Sequence, residues 1–143
     1  DWADRMGYSY SRGGEFLSKW GSFSAPVKFD TSQPIFTGFP KSVPYQDELY
    51  WRLEKGKRGE IRDIATTQAP GNKEVSDQSW PVYWTVEHDA VGKSPKGRVF
   101  GCVIGHFDKY FDDQVFMTAL GRGTAWCLYE SFEPFKASLR QLE

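Results

Sequence analysis

Short stretches in which apolar and polar residues alternate recur along this chain. Val27 and Phe29 flank Lys28 within residues 26–30, and residues 49–53 and 61–67 are rich in β-branched and aromatic side chains, so each stretch predicts a strand. Residues 81–86, Pro81-Val82-Tyr83-Trp84-Thr85-Val86, predict another. Across 98–105 the alternation gives way to a continuous apolar and glycine run, which predicts a strand buried on both faces, as in the middle of an α/β sheet. The period changes after Asp112-Asp113. Phe116, Ala119, Leu120, Gly123 and Trp126 fall on one helical stripe, and the two acids suit its N-terminus. Gly121 and Gly123 inside that helix each cost roughly 1 kcal/mol relative to alanine, which predicts close packing against the sheet.

The remaining segments are less regular. A short helix is predicted over 14–20 and an amphipathic segment over 132–142. The stretch 33–40 is broken at both of its prolines, 68–79 reads as a polar surface loop, and 92–97 turns the chain. No repeat or Pro/Ser-rich linker divides the 143 residues, so they read as one domain.

Composition narrows the partners. Eighteen Lys+Arg against 19 Asp+Glu leave a formal net charge of −1 without basic blocks, which argues against nucleic acid or an anionic membrane as partner. The longest apolar run, 99–105, falls far short of the ~20 residues that span a bilayer. Aromatic residues reach 17%, and several stand beside carboxylates, as sugar sites require. Cys102 and Cys127 make no disulfide framework and leave the compartment open between cytoplasm and periplasm.

Candidate chemistry centres on His106, which follows Gly105 at the carboxyl end of the predicted inner strand, where open α/β sheets place ligands. Asp108 stands two residues on. The pair fits a base with its orienting acid, and it equally fits a loop histidine without chemistry. His88, between Glu87 and Asp89, reads as solvated. In Asp47-Glu48-Leu49-Tyr50, Glu48 and Tyr50 point the same way along a strand, so a carboxylate and a phenol share a face toward a ligand hydroxyl or form a solvated strand edge. Trp51, Trp80 and Trp84 offer flat faces for sugar rings or fill the core. Gly101-Cys102-Val103-Ile104-Gly105 lacks the spacing of a nucleophile elbow, so Cys102 reads as structural. Gly92-Lys93-Ser94 lacks the upstream glycine of a phosphate loop. His88 and His106 have no metal-ligand spacing, so no metal site is expected, and no cofactor is indicated.

Several motifs, in order, resemble the ThuA-like family, the trehalose-utilisation group with a class I glutamine amidotransferase fold. They are Gly13-Gly14-Glu15-Phe16, Gln33-Pro34-Ile35 with Gly38-Phe39-Pro40, Asp47-Glu48-Leu49-Tyr50, Pro81-Val82-Tyr83-Trp84, Lys96-Gly97-Arg98-Val99-Phe100, Gly105-His106, and Arg122-Gly123 with Trp126. The resemblance implies a flavodoxin-like, three-layer α/β sheet, of which this chain would be the carboxyl-terminal part. It also implies a small-molecule sugar partner, a disaccharide or oxidised keto sugar. His106 would be the acid/base or orienting residue, with Asp108 and Glu48 around it and Asp47, Tyr50 and Trp84 forming the sugar pocket. The reaction would be of hydrolase or isomerase type, and an open sheet edge would favour a homo-oligomer. Two family histidines are replaced, by Lys19 and Gln33, and no nucleophilic cysteine matches that of glutaminases. These departures favour the competing expectation, a non-catalytic carbohydrate-binding or interaction domain that keeps the fold.

Overall fold

A computed structural model describes residues 1–13, 17–68 and 78–135. Along them run α1 (Trp2–Met6), β1 (Tyr8–Ser9), β2 (Lys19–Phe29), β3 (Ser42–Trp51), β4 (Glu54–Lys55), β5 (Glu60–Gln68), β6 (Ser79–His88), β7 (Gly97–Cys102) and α2 (Gln114–Cys127). Short 3-10 turns occupy Pro34–Phe36, Asp108–Asp112 and Glu133–Phe135. Five strands form one sheet in the order β3-β2-β5-β6-β7, every pair antiparallel, and β1 pairs with β4 in a separate two-stranded ribbon. None of the described helices is long and apolar enough to cross a membrane.

Strand periodicity explains which face is sealed. On β3, Tyr45, Asp47, Leu49 and Trp51 point inward and are buried, while Gln46, Glu48 and Tyr50 point outward. On β2, Phe23, Val27 and Phe29 are the buried set. The main core lies between this face and α2, with the 34–36 turn filling its end. Rings dominate it: Phe29 and Phe36 meet edge to face at 4.9 Å, and Phe36 meets Phe39 at 5.0 Å and Tyr83 at 5.6 Å. Such pairs each add about 0.5–1.5 kcal/mol beyond their burial. A smaller cluster of Tyr8, Trp84 and Val86 holds α1 and β1 against the domain.

The chain is mixed α/β, but the parallel, three-layer sheet that the family resemblance implied is not what its described residues form. Parallel neighbours need crossovers of a dozen or more residues, usually helical. Among the described residues the one helix of that length, α2, follows the last strand, and the successive pairs β2–β3, β5–β6 and β6–β7 fold back on each other. The expectation of an inner strand over 98–105 is corrected too. β7 ends at Cys102 and pairs only with β6, so it is an edge strand. Its apolar run arises because both of its faces are covered: Phe100 packs against the main core and Val99 against the Tyr8–Trp84 cluster. Covered faces do not make a strand central. β6, with residues 81–86 all buried and a partner on each side, holds the inner position. Residues 14–16 of the helix expected over 14–20 lie outside the described residues, and Lys19 and Trp20 belong to β2. In β5 a register shift around Ala65 lets adjacent Ile64 and Ala65 both be buried, which simple alternation does not foresee.

The helix forms as its stripe predicts. Asp113 caps it, its carboxylate accepting the Phe116 N–H at 2.7 Å. Gly123 faces β7 so closely that a Cβ there would lie 2.3 Å from the Phe100 ring, whereas Gly121 faces Phe135 rather than the sheet. Arg122, 4% exposed, donates from Nη1 to the Ile35 and Thr37 carbonyls at 3.2 and 2.6 Å and lies over the Phe39 ring. Burial pushes its pKa below the usual arginine value. The Arg122-Gly123 motif is thus a packing device: the glycine admits the sheet and the guanidinium ties α2 to the 34–39 turn. Of the segment expected over 132–142, only Glu133–Phe135 is a described element, and residues 136–143 lie outside the described part.

Candidate functional site

The outward face of the β2–β3 hairpin carries the site. Trp20 stands opposite Tyr50 and Ser22 opposite Glu48 across the ladder, so these four side chains share one side of the sheet. Tyr10, just after β1, meets Tyr50 edge to face with ring centroids 5.9 Å apart. Together with Arg12 they bound an open cavity of about 520 Å³ lined by Tyr10, Arg12, Trp20, Glu48 and Tyr50. That volume falls in the range of roughly 300–1,000 Å³ usual for small-molecule sites. Trp20 is 62% and Tyr10 38% exposed, so the rings offer free faces.

His106 does not itself line this cavity but approaches the carboxylate of Glu48, which does. Its Nδ1 lies 3.6 Å from Glu48 Oε1, within ion-pair range and just beyond hydrogen-bond length, and its side chain is half exposed. Glu48 also acts on Tyr50. As hydrogen-bond acceptor first, with burial second and its charge third, it raises the phenol's pKa above the ordinary value. One carboxylate therefore faces both an imidazole and a phenol.

The other expected site residues fall elsewhere. Asp108 opens the 3-10 turn after His106, is exposed, and makes no hydrogen bond or ion pair with His106 among the described residues. The acid facing the imidazole is Glu48 instead, because β3 delivers its side chain across the sheet edge. Asp47 does not line the cleft. It is fully buried, and its carboxylate accepts the backbone N–H groups of Gly105 at 2.6 Å and of His106 and Phe107 at 3.3 Å each. Trp84 is buried at the other cluster, where its indole donates to the Met6 carbonyl at 2.7 Å and its ring meets Tyr8. It lies under α1, away from the cleft lining. Gln33 donates to Asp30 and borders a different, smaller cavity of about 160 Å³ beside Arg98 and Trp126. Among the described residues no group of three or more His, Cys, Asp and Glu side chains could hold a metal ion.

Tyr10, Arg12 and Trp20 escaped the sequence reading. Trp20 did leave a trace: it shares the parity of Ser22 and Ser24, opposite to buried Phe23 and Val27, so a large ring sits on the polar side of its strand. Tyr10 and Arg12 left none, since only the tertiary fold brings them to β3.

Fold and cleft together define a mixed α/β chain with a surface cleft of rings beside a carboxylate that an imidazole approaches from outside the lining. The family model of ThuA, described as trehalose utilisation, matches residues 3–127. The chain belongs to this family, and membership implies a role in trehalose utilisation. Comparison with curated proteins and with solved structures yields no significant match.

Proposed function

We propose that this chain binds a disaccharide or an oxidised keto sugar in the cleft between Tyr10, Trp20 and Tyr50, with His106 and Glu48 as the polar pair that meets the ligand. The observation that carries this reading is the 3.6 Å approach of His106 Nδ1 to Glu48, the one acid among the described residues that lines the ring-walled cavity. Aromatic faces suit the apolar C–H faces of sugar rings, and the carboxylate accepts from hydroxyls. With a proton on Nδ1 turned toward Glu48, Nε2 is the free acceptor. It is then placed to take a proton from a ligand hydroxyl or from a carbon beside a carbonyl, which suits hydrolase or isomerase chemistry. Tyr50, kept protonated by Glu48, is a donor to the ligand or to that carboxylate. The cleft is built from the β2–β3 hairpin and the segment after β1, with the 103–107 loop bringing His106 to Glu48, so it does not depend on an amidotransferase-like three-layer sheet.

A second reading, a binding domain without turnover, is favoured by one observation: the expected second acid, Asp108, does not reach His106. Both readings are tested together. The full chain is titrated calorimetrically with trehalose, other disaccharides and 3-keto sugars, and products are followed by mass for the wild type and His106→Ala. Binding that falls about tenfold in Trp20→Ala supports the cleft. Turnover abolished in His106→Ala supports catalysis, and binding without turnover leaves the second reading. If the folded protein binds none of these sugars at millimolar concentration, the cleft is not a sugar site.

A further inference from the structure

The cleft reading leaves the buried acid Asp47 without a role, although it is the residue most firmly tied to His106. We propose that Asp47 is a positioning residue: it holds the loop that presents His106, so that the imidazole stays in register with Glu48. The proposal rests on the reading of His106 and Glu48 as a functional pair.

Consecutive strand residues point to opposite faces. Asp47 and Glu48 therefore grip His106 from two sides of one edge strand: the first by its backbone N–H at 3.3 Å, the second facing its ring at 3.6 Å. Asp47 takes the N–H groups on either side as well, Gly105 at 2.6 Å and Phe107 at 3.3 Å. A carboxylate group offers acceptor oxygens, and here they take three backbone donors from one short loop. The loop bends to offer those donors because Gly105 has φ +109°, a conformation other residues rarely adopt, and because a Cβ there would lie 2.7 Å from the Phe116 ring. One residue before Asp47, the Tyr110 hydroxyl bonds both the N–H of Gln46 at 3.0 Å and its carbonyl at 2.5 Å, fastening the far end of the same segment to β3. The outcome is that His106 has its backbone fixed to the strand that carries its partner acid. Ring and carboxylate are set relative to each other by two adjacent residues, not by a long path through the fold.

The test reads the ring itself. The chain has two histidines, so His88→Gln assigns the His106 signals in a two-dimensional ¹H–¹⁵N imidazole spectrum of the ¹⁵N-labelled protein. Glu48→Gln defines the spectrum of an imidazole that has lost its partner charge. Asp47→Asn turns an amide N–H₂ toward the loop donors. It is expected to move the His106 ring nitrogens toward the Glu48→Gln spectrum and to speed amide exchange at His106 and Phe107 at least tenfold. Thr67→Val removes a buried hydrogen bond to Pro26 far from the loop and is expected to leave the ring signals in place. The proposal is overturned if folded Asp47→Asn keeps the wild-type ring spectrum and exchange, or if Thr67→Val shifts the ring as much. Should Asp47→Asn not fold, Asp47→Glu keeps the charge but displaces it by one methylene: displaced ring signals support the role, and an unmoved ring in the folded variant overturns it. All signals are read without sugar, so failure of sugar binding and failure of this proposal are separate results.

Discussion

The two faces of the β2–β3 hairpin are built from the same strands yet do opposite things. On the inner face Phe23, Val27, Tyr45, Leu49 and Trp51 are packed shut, and even a carboxylate, Asp47, is buried and accepts from three backbone N–H groups. On the outer face Trp20, Glu48 and Tyr50 keep free rings and a polar pair beside an open cavity. Asp47 and Glu48 are adjacent acids on one strand. One residue of register decides whether an acid is buried or lines the open cavity.

That contrast makes the largest predicted effect fall on the inner face. Asp47→Ala leaves loop N–H groups without their acceptor and is expected to cost about 3 kcal/mol of unfolding free energy in urea titrations. Glu48→Ala, on the outer face, is expected to stay within about 1 kcal/mol of wild type. Equal losses from the two variants would erase the distinction between the faces.

The next effect separates buried from open titratable groups. Burial pushes the Cys102 thiol from an ordinary 9.0 up to about 12, and it raises the phenols of Tyr45 and Tyr83 above their ordinary 10.0. The folded state thus holds these protons more tightly than the unfolded chain, so its stability is fully present below about pH 9 and declines as pH rises above it. Urea midpoints measured from pH 8 to 11 are expected to fall, less steeply in Cys102→Ala. A flat profile would mean that these groups are not sealed.

Smaller still is the effect of the exposed ring. Trp20→Ala is expected to weaken sugar binding about tenfold, near 1.4 kcal/mol, while changing stability by less than about 0.5 kcal/mol. A large stability loss would make Trp20 part of the core and not of the cleft. The smallest effect belongs to Asp108→Asn, expected to leave sugar affinity within about twofold, since that acid does not touch His106. A tenfold loss there would restore it to the site.

Much of the local structure was legible from the residues. The α2 stripe, its Asp113 cap and its close-packed Gly123 followed from spacing and from the cost of glycine in a helix. The strand segments around residues 26–30, 49–53, 61–67 and 81–86 fall within or overlap β2, β3, β5 and β6, although each observed strand differs in extent. The shared face of Glu48 and Tyr50 also came from period 2, while His106 was singled out by its place after Gly105 at the end of the predicted strand. What went astray was pairing. An apolar run was read as a strand in the middle of an α/β sheet, but the run records partly covered faces and says nothing about lateral neighbours. Asp108 was chosen for His106 because it is near in sequence, while the acid that faces the imidazole comes from a strand 58 residues earlier.

By itself, then, the sequence determined which segments favour strand or helix and which face of each is apolar, because these follow from local geometry and solvation. Only the tertiary structure decided that the sheet is antiparallel, that Asp47 is a buried clamp, and that Tyr10, Arg12 and Trp20 meet Glu48 in one cleft. These outcomes depend on strand order and on contacts between residues far apart in the chain, and no local period encodes them.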